Sequence, residues 1–220
     1  TLRYGRGLLP DYLGVYLLDP ASGEWVYADG RVDRAARTIT AALVQPGQYA
    51  VREYRERFDD VPPTHWAYGD VQRMAARQIV KGTAPGQFSP DAQVTRAQFA
   101  AMLVRALGLK AERQIAIVPF DDVPATAWYR AEVETAAFAG LVKGDNRLFR
   151  PDDLVTRQEL AVMLVRALQQ VRPDLVPDAD VSILAERYAD TDQIAPWATE
   201  SAAVAVKLGL VSGRTAETWN

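Results

Sequence analysis

A repeated block of sequence constrains the fold of this chain more than any other feature. The motif Phe-Asp-Asp-Val-Pro at 58–62 returns 62 residues later at 120–124. The six residues at 102–107 return unchanged at 163–168. A block this small cannot bury an apolar face alone, so the copies are predicted to pack on one another as a repeat protein.

A third copy begins at Tyr188. A tryptophan-to-glycine spacing of 16 residues is shared by three pairs, which are Trp66 and Gly82, Trp128 and Gly144, and Trp197 and Gly213. This spacing predicts first helices of one length that end at the glycines. The third copy stops before a Thr-Arg step like those of the other two, so we expect it to be incomplete.

The remaining local structure can be predicted from periodicity. Alternation before residue 58 predicts strands at 12–18, 24–28, 38–44 and 49–54, with a reversal at Asp29-Gly30. These form an antiparallel meander that either ends a β-sandwich-like domain or packs on the next part of the chain. A period of 3.6 predicts helices at about 66–78, 95–108, 128–140, 156–170 and 197–208. The predicted class is α+β, with an N-terminal meander before the helical repeats.

Composition excludes several functions. A net charge of −3 makes nucleic acid a poor partner. With no cysteine and one histidine, thiolate metal sites and Ser-His-Asp catalysis have no basis, and we expect no cofactor, no metal and no enzymatic activity in this region. Membrane insertion is not expected, because no long apolar run exists. Thr1 follows no signal peptide, so a secreted protein would have to extend upstream.

The sequence contains two Thr-Arg steps, in which the threonine is readily explained and the arginine is not. Thr95 with Gln98, and Thr156 with Glu159, fit the capping box of a helix start. Arg96 and Arg157 are harder to explain, because a cation at a helix N-terminus is disfavoured by a few tenths of a kcal/mol. An anion held by free N–H groups and the guanidinium would compensate, and surface ion pairs are the alternative.

The ordered motifs identify a family resemblance. Phe-x-Asp-Val-Pro, Trp, Gly, Phe-x-Pro and Thr-Arg before an apolar helix resemble the S-layer homology (SLH) repeat over about 58–109, 120–170 and 188–220. The repeat domains are placed at 58–110, 120–171 and 188–220, after a β segment at 1–57. The resemblance implies first helices around a pseudo-threefold axis, with grooves between neighbouring copies.

The resemblance also implies a ligand, which is secondary cell-wall polysaccharide that often carries a pyruvate ketal. The predicted glycan contacts are Arg96, Arg157, Trp66, Trp128, Trp197, Asp60, Asp122, Asp190, Gly82, Gly144, Gly213, Gln98 and Glu159. Structural roles compete for many of them. The tryptophans can be core residues, the aspartates can hold turns, and the glycines can permit close backbone approach. Arg105 and Arg166 are predicted to lie on a solvated helix face.

The predicted function is non-covalent attachment of a secreted bacterial protein to an anionic wall polysaccharide at the cell surface. Two alternatives stay open. The repeats could form a protein-interaction or self-assembly module, with self-association through the incomplete third copy. An enzyme acting on glycans would need paired carboxylates in a cleft, and a catalytic domain is expected upstream instead.

Overall fold

A computed structural model describes residues 1–43, 45–109 and 120–219. The chain divides into two units, Thr1–Ala92 and Gln93–Asn220. The described strands and one α-helix lie in the first unit, and five α-helices lie in the second, which confirms the α+β class with helical repeats. The division falls inside the first repeat, whereas the sequence period changes near residue 57. The repeat boundaries stay predictions.

Two three-stranded antiparallel sheets form the β-rich part of the first unit. The strands are β1 (Leu2–Arg3), β2 (Leu13–Leu18), β3 (Trp25–Asp29), β4 (Arg31–Asp33), β5 (Thr38–Thr40) and β6 (Tyr49–Glu53). One sheet has the order β1-β5-β4 and the other β3-β2-β6. The four predicted strands are present and antiparallel, but they are divided between two sheets instead of forming one sequential meander. Residue 44, the predicted end of the third strand, lies outside the described residues.

Gly30 marks the point where the chain passes from one sheet to the other. The expected reversal at Asp29-Gly30 is wrong, because β3 ends at Asp29 and β4 begins at Arg31. A Cβ on Gly30 would lie 3.0 Å from Ile39 Cδ1. Glycine is favoured there because the backbone of Gly14 on β2 also lies only 3.2 Å from that Cβ position. The reversal comes later, at the turn formed by residues 34–37.

Three helices of equal length open the repeats. The α-helices of the described residues are α1 (Tyr68–Ala76), α2 (Arg96–Ala106), α3 (Arg130–Phe138), α4 (Arg157–Val171), α5 (Ser182–Arg187) and α6 (Thr199–Lys207). The first helices of the repeats are α1, α3 and α6, with nine residues each, which confirms the prediction from spacing. The three repeat tryptophans lie just before these helices.

The predicted glycines do not end these helices. Each first helix ends before a residue in the left-handed conformation, which is Gln78 with φ of 53°, Gly140 with φ of 72° or Gly209 with φ of 67°. Gly82, Gly144 and Gly213 lie further along the chain, in the next loop. The equal spacing therefore has a cause other than helix termination.

The sheet β3-β2-β6 is joined to the first helix. The Tyr16 hydroxyl donates a hydrogen bond to the Ala76 carbonyl at the end of α1. The Gln78 amide accepts from Tyr27 N at 2.7 Å and donates to Trp25 O at 2.9 Å, so it pairs with the outer edge of β3 like a further strand. This confirms that the β segment packs on the helical region after it, and explains why the first unit extends to Ala92.

In the second unit, α2 packs on α3 and α4 packs on α6 through two apolar clusters. The six-residue α5 was not predicted, because it is too short to display a helical period. The pseudo-threefold arrangement, which would include α1, stays a prediction. Within the described part of the chain, none of the helices has the length and apolar character that crossing a membrane requires.

Candidate functional site

Both predicted capping boxes are present. Thr95 Oγ1 accepts from Gln98 N, and the Gln98 side chain accepts from Thr95 N at 2.9 Å. Thr156 and Glu159 make the same reciprocal pair at the start of α4. These side chains satisfy N–H groups that lack partners within the helix, so α2 and α4 begin where the sequence predicts.

Arg96 has a protein carboxylate as its anion. Its side chain is buried, and the guanidinium pairs with Glu159, a capping residue of α4. Arg96 also donates to Phe149 O at 2.9 Å and to Lys143 O at 3.3 Å. Burial lowers the pKa of Arg96, and the charge of Glu159 opposes that shift. The ion pair is internal, so the alternative of a surface ion pair is wrong for this residue.

The first N–H groups of α2 already donate to protein acceptors. Arg96 N donates to Asp153 O at 2.9 Å, and Ala97 N donates to Pro151 O at 3.0 Å. Backbone carbonyls of the second repeat thus take the place of the anion that we expected at this helix N-terminus. The correction is a result of packing, because these carbonyls are more than 50 positions away in the sequence.

The two repeated arginines share one contact. Arg96 donates to Lys143 O, and Arg157 donates to Ser212 O at 2.7 Å. In each case the acceptor is the residue before the equally spaced glycine of the next repeat, Gly144 or Gly213. The arginine therefore links the second helix of one repeat to the loop of the next. Among the described residues, Arg157 has no carboxylate within ion-pairing distance.

The three predicted aspartates hold a later segment of their own repeat. Their carboxylates accept backbone N–H groups at distances from 2.6 to 3.1 Å. The bonded sets are Asp60 with Phe88 and Ser89, Asp122 with Phe149 and Arg150, and Asp190 with Trp219. The aspartates thus have the structural role that was the alternative to sugar binding. Their hydrogen-bond partners, however, lie further along the sequence than those of a local turn.

Asp60 gives an expected pH dependence. Hydrogen bonds from Phe88 N and then Ser89 N hold the pKa of Asp60 below its ordinary value, against the opposing effect of desolvation. Its stabilising contribution is therefore complete above the unfolded value of about 3.9 and is lost as pH falls through the lower folded pKa. We expect Asp60→Asn to lower the free energy of unfolding at neutral pH. The further drop in that free energy in acid should be smaller for Asp60→Asn than for the native chain. Urea unfolding at both pH values measures these changes. Asp91→Asn, which removes an exposed carboxylate, is the control, and equal acid sensitivity of Asp60→Asn and the native chain would contradict the assignment.

Close packing explains the equal spacing of the loop glycines. A Cβ on Gly144 would lie 2.5 Å from both Leu148 O and Phe120 Cε1. A Cβ on Gly82 would lie 2.5 Å from Gln87 O, and one on Gly213 would contact Thr218 O and Tyr188. The glycine lets the loop lie against the aromatic residue that opens its repeat. That ring also packs on a second aromatic residue, in the pairs Phe58 and Phe88, Phe120 and Phe149, and Tyr188 and Trp219.

A groove of about 680 Å³ lies in the second unit. The residues lining it are Arg96, Val142, Lys143, Gly144, Asp145, Arg150, Glu159, Val162, Met163, Arg166 and Trp197. Four of the predicted contacts are therefore brought together, namely Arg96, Gly144, Glu159 and Trp197. They come from three different repeats, because Arg96 belongs to the first and Trp197 to the third.

The groove is cationic although the chain is acidic. Four cationic side chains line it against the two carboxylates Asp145 and Glu159, which gives a formal excess of two positive charges. The whole sequence carries −3. Positive charge is thus concentrated in a concave site, where it attracts anionic ligands.

The repeat tryptophans are surface residues. Trp66, Trp128 and Trp197 are 85%, 58% and 59% exposed, so the alternative that they are core residues is wrong. Trp197 lines the groove, and its indole combines an exposed apolar face with a polar N–H.

Several groove residues were missed from the sequence. Lys143, Arg150 and Met163 were not among the predicted contacts, and Arg166 was assigned to a solvated face. That assignment is wrong for Arg105 as well, because Arg105 pairs with Glu132 at 2.7 Å in a part-buried contact. The spacing of Glu159, Val162, Met163 and Arg166 along one face of α4 is a signal that could have identified this wall.

Arginine-to-carbonyl contacts link each helical repeat to the next, and the repeats form a cationic groove with an exposed tryptophan. These features define a helical-repeat binding module. The chain belongs to the S-layer homology domain family. The family model matches residues 57–100, 119–161 and 187–218, together more than half of the chain, and this confirms the resemblance.

Similar proteins include both enzymes and S-layer proteins. Amylopullulanase of Thermoanaerobacterium thermosulfurigenes is 35% identical over 97% of this chain and 11% of its own length. Exoglucanase XynX of Acetivibrio thermocellus is 34% identical over 71% and 14%. S-layer protein sap of Bacillus anthracis is 29% identical over 84% and 21%. The chain thus spans about a fifth or less of the length of these relatives.

The regions aligned with the relatives and the family membership together indicate where the protein resides. The similarity to the amylopullulanase includes most of the β segment as well as the repeats. The two enzymes match this chain over the region that contains the SLH repeats. SLH membership and the S-layer relatives identify an extracellular protein of the cell surface.

Proposed function

We propose that this chain attaches a secreted bacterial protein non-covalently to an anionic cell-wall polysaccharide whose charge is carried by a pyruvate ketal. The cationic groove with exposed Trp197 is the observation that carries the proposal. A polysaccharide chain fits an open groove, and the excess positive charge favours an anionic polymer over a neutral one.

The groove offers two kinds of contact to a sugar. Trp197 supplies a flat apolar surface, and Gly144, which also lines the groove, supplies backbone atoms. Arg96 and Glu159 form the rigid wall behind them, since each satisfies the other. The other predicted contacts remain proposals, namely Arg157, Trp66, Trp128, Asp60, Asp122, Asp190, Gly82, Gly213 and Gln98.

The hydrogen bonds made by the groove carboxylates favour a binding role over a catalytic one. A glycosidase needs two carboxylates that can exchange protons on either side of the scissile bond. Glu159 is instead bonded to Arg96, to Arg150 at 3.0 Å and to the N-cap residue Thr156. Both oxygens of the Glu159 carboxylate therefore already accept hydrogen bonds from protein groups, which leaves it poorly placed to act on a scissile bond. We therefore propose an anchoring role for this region.

Binding of the full chain to purified wall sacculi tests the function. We expect saturable binding that weakens as salt is raised, because the ligand is anionic and the groove is exposed. Trp197→Ala should weaken binding about tenfold, through loss of the sugar-facing ring. Phe138→Ala is the matched control, since Phe138 is an aromatic residue that is 83% exposed and does not line the groove.

Two results would count against the proposal. Sacculi stripped of pyruvate by mild acid should bind weakly, and equal binding to both preparations would favour a protein-interaction or self-assembly module. Equal weakening by Trp197→Ala and Phe138→Ala would mean that the groove is not the binding site. Self-association stays a separate prediction, which a solution mass measurement checks.

A further inference from the structure

We propose that Arg166 binds the anionic group of the ligand in this groove. The inference rests on the proposed wall-binding function and deepens it, because it names the residue that recognises the ligand's charge. Sequence spacing predicts a solvent-facing surface for Arg166, whereas the structure places it in the wall of the groove.

The position of Arg166 is set by the helix that carries it. Glu159, Val162, Met163 and Arg166 all line the groove and are spaced along one face of α4. Arg166 is half-buried at this position. Within the described ranges, its guanidinium has neither a hydrogen bond nor an ion pair with any protein group. It is therefore a partly desolvated cation whose donors point to no protein acceptor.

Comparison of the repeats explains the missing partner. Arg105 on α2 is the repeat equivalent of Arg166, and it pairs with Glu132 on α3, the helix against which α2 packs. The helix that packs on α4 is α6, and its residue at the Glu132 position is Ser201. Glu132 of the second repeat neutralises Arg105 of the first repeat. The third repeat has no carboxylate at the equivalent position to neutralise Arg166 of the second.

The other groove cations are occupied or exposed. Arg96 and Arg150 both bond to Glu159, and Lys143 lies in an exposed loop. Burial lowers the pKa of Arg166, and among the residues that the structure describes no carboxylate opposes that shift as Glu159 does for Arg96. An incoming anion would restore the missing charge partner at Arg166, whereas at Arg96 it would compete with Glu159.

The chemistry of the guanidinium indicates the ligand group. Its planar N–H donors grip a carboxylate through two parallel hydrogen bonds, which a lysine cannot reproduce. A carboxylate on a hexose, as in a pyruvate ketal, would place its sugar ring toward Trp197 on the same groove.

The decisive experiment restores the absent carboxylate. Ser201→Glu should pair with Arg166 as Glu132 pairs with Arg105, and Ser201→Gln is the uncharged control of equal size. We expect Ser201→Glu to raise the thermal midpoint and to lower affinity for native wall sacculi at least tenfold relative to Ser201→Gln. Both variants should bind equally weakly to sacculi stripped of pyruvate.

Direct replacement of the arginine gives an independent readout. Arg166→Gln should weaken binding to native sacculi and leave the thermal midpoint nearly unchanged, because no hydrogen bond or ion pair to a described residue is lost. Arg105→Gln should lower the midpoint, because it breaks the pair with Glu132. Arg166→Lys should recover part of the binding through charge alone.

The outcomes separate this inference from the proposed function. If the native chain fails to bind sacculi, the proposed function is wrong. If the native chain binds and Ser201→Glu binds as well as Ser201→Gln, the function stands and the role of Arg166 is wrong. An Arg166→Gln variant that is destabilised as much as Arg105→Gln would also overturn the inference, since it would give Arg166 a structural role.

Discussion

Arg96→Ala is expected to lower the free energy of unfolding by about 3 kcal/mol, which is typical of breaking a buried ion pair by removing one partner. Arg96 is 5% exposed, and it bonds both the Glu159 carboxylate and the carbonyls of Phe149 and Lys143. Its removal leaves those two carbonyls without donors, although Arg150 still neutralises Glu159. Urea unfolding of the full chain, followed by far-ultraviolet circular dichroism, measures the change.

Arg157→Ala is the matched control for this prediction. Arg157 has the same place in its repeat, but it makes one described hydrogen bond, to Ser212 O, in an exposed setting. Its loss should cost less than about 1 kcal/mol. Similar destabilisation by the two variants would mean that burial and the pair with Glu159 do not distinguish Arg96.

Gly144→Ala is expected to destabilise the second unit by about 3 kcal/mol, at the upper end of the usual cost of overpacking. The added methyl would overlap both the Leu148 carbonyl and the Phe120 ring. Neither can withdraw easily, because the ring is buried against Phe149 and the carbonyl belongs to a closed hairpin. The loss would appear as a lower midpoint in urea and, since Gly144 lines the groove, as weaker binding to sacculi.

Gly140→Ala separates this steric effect from backbone strain. Gly140 has φ of 72° and open space around its Cβ position, whereas the Gly144 backbone lies outside the left-handed range. Placing alanine in the left-handed region costs about 1 kcal/mol. The steric explanation for the equally spaced glycines fails if Gly140→Ala is the more damaging change.

These contacts have a consequence for the groove itself. The wall formed by Arg96 and Glu159 joins the first and second repeats, and Trp197 comes from the third. A substitution that loosens a contact between repeats should therefore affect binding as well as stability. Each measurement of binding should therefore be accompanied by the unfolding midpoint of the same variant.

The sequence predicted those features that depend on neighbouring residues. The starts of α2 and α4 were correct because Thr95 and Thr156 cap helices through residues three positions away. The equal lengths of the first helices were correct because the copies repeat in register. The glycines were misread as helix ends, because their constraint comes from Phe120 and the equivalent rings far back in the sequence.

Other features required knowledge of which elements pack together. The division of the strands between two sheets depends on β2 pairing with both β3 and β6, which no local pattern specifies. The difference between Arg105 and Arg166 could not be read from their identical surroundings in the sequence. It arises because α2 packs on a helix with Glu132 and α4 packs on one with Ser201.

The sequence by itself determined the family, the repeat register and the helix starts, since these rest on residues within a few positions or on plain repetition. Tertiary structure alone decided what each arginine binds and where positive charge is left uncompensated. The physical reason is distance along the chain. Arg96 meets Glu159 and Lys143 across 63 and 47 positions, and only folding brings such groups within reach of a hydrogen bond.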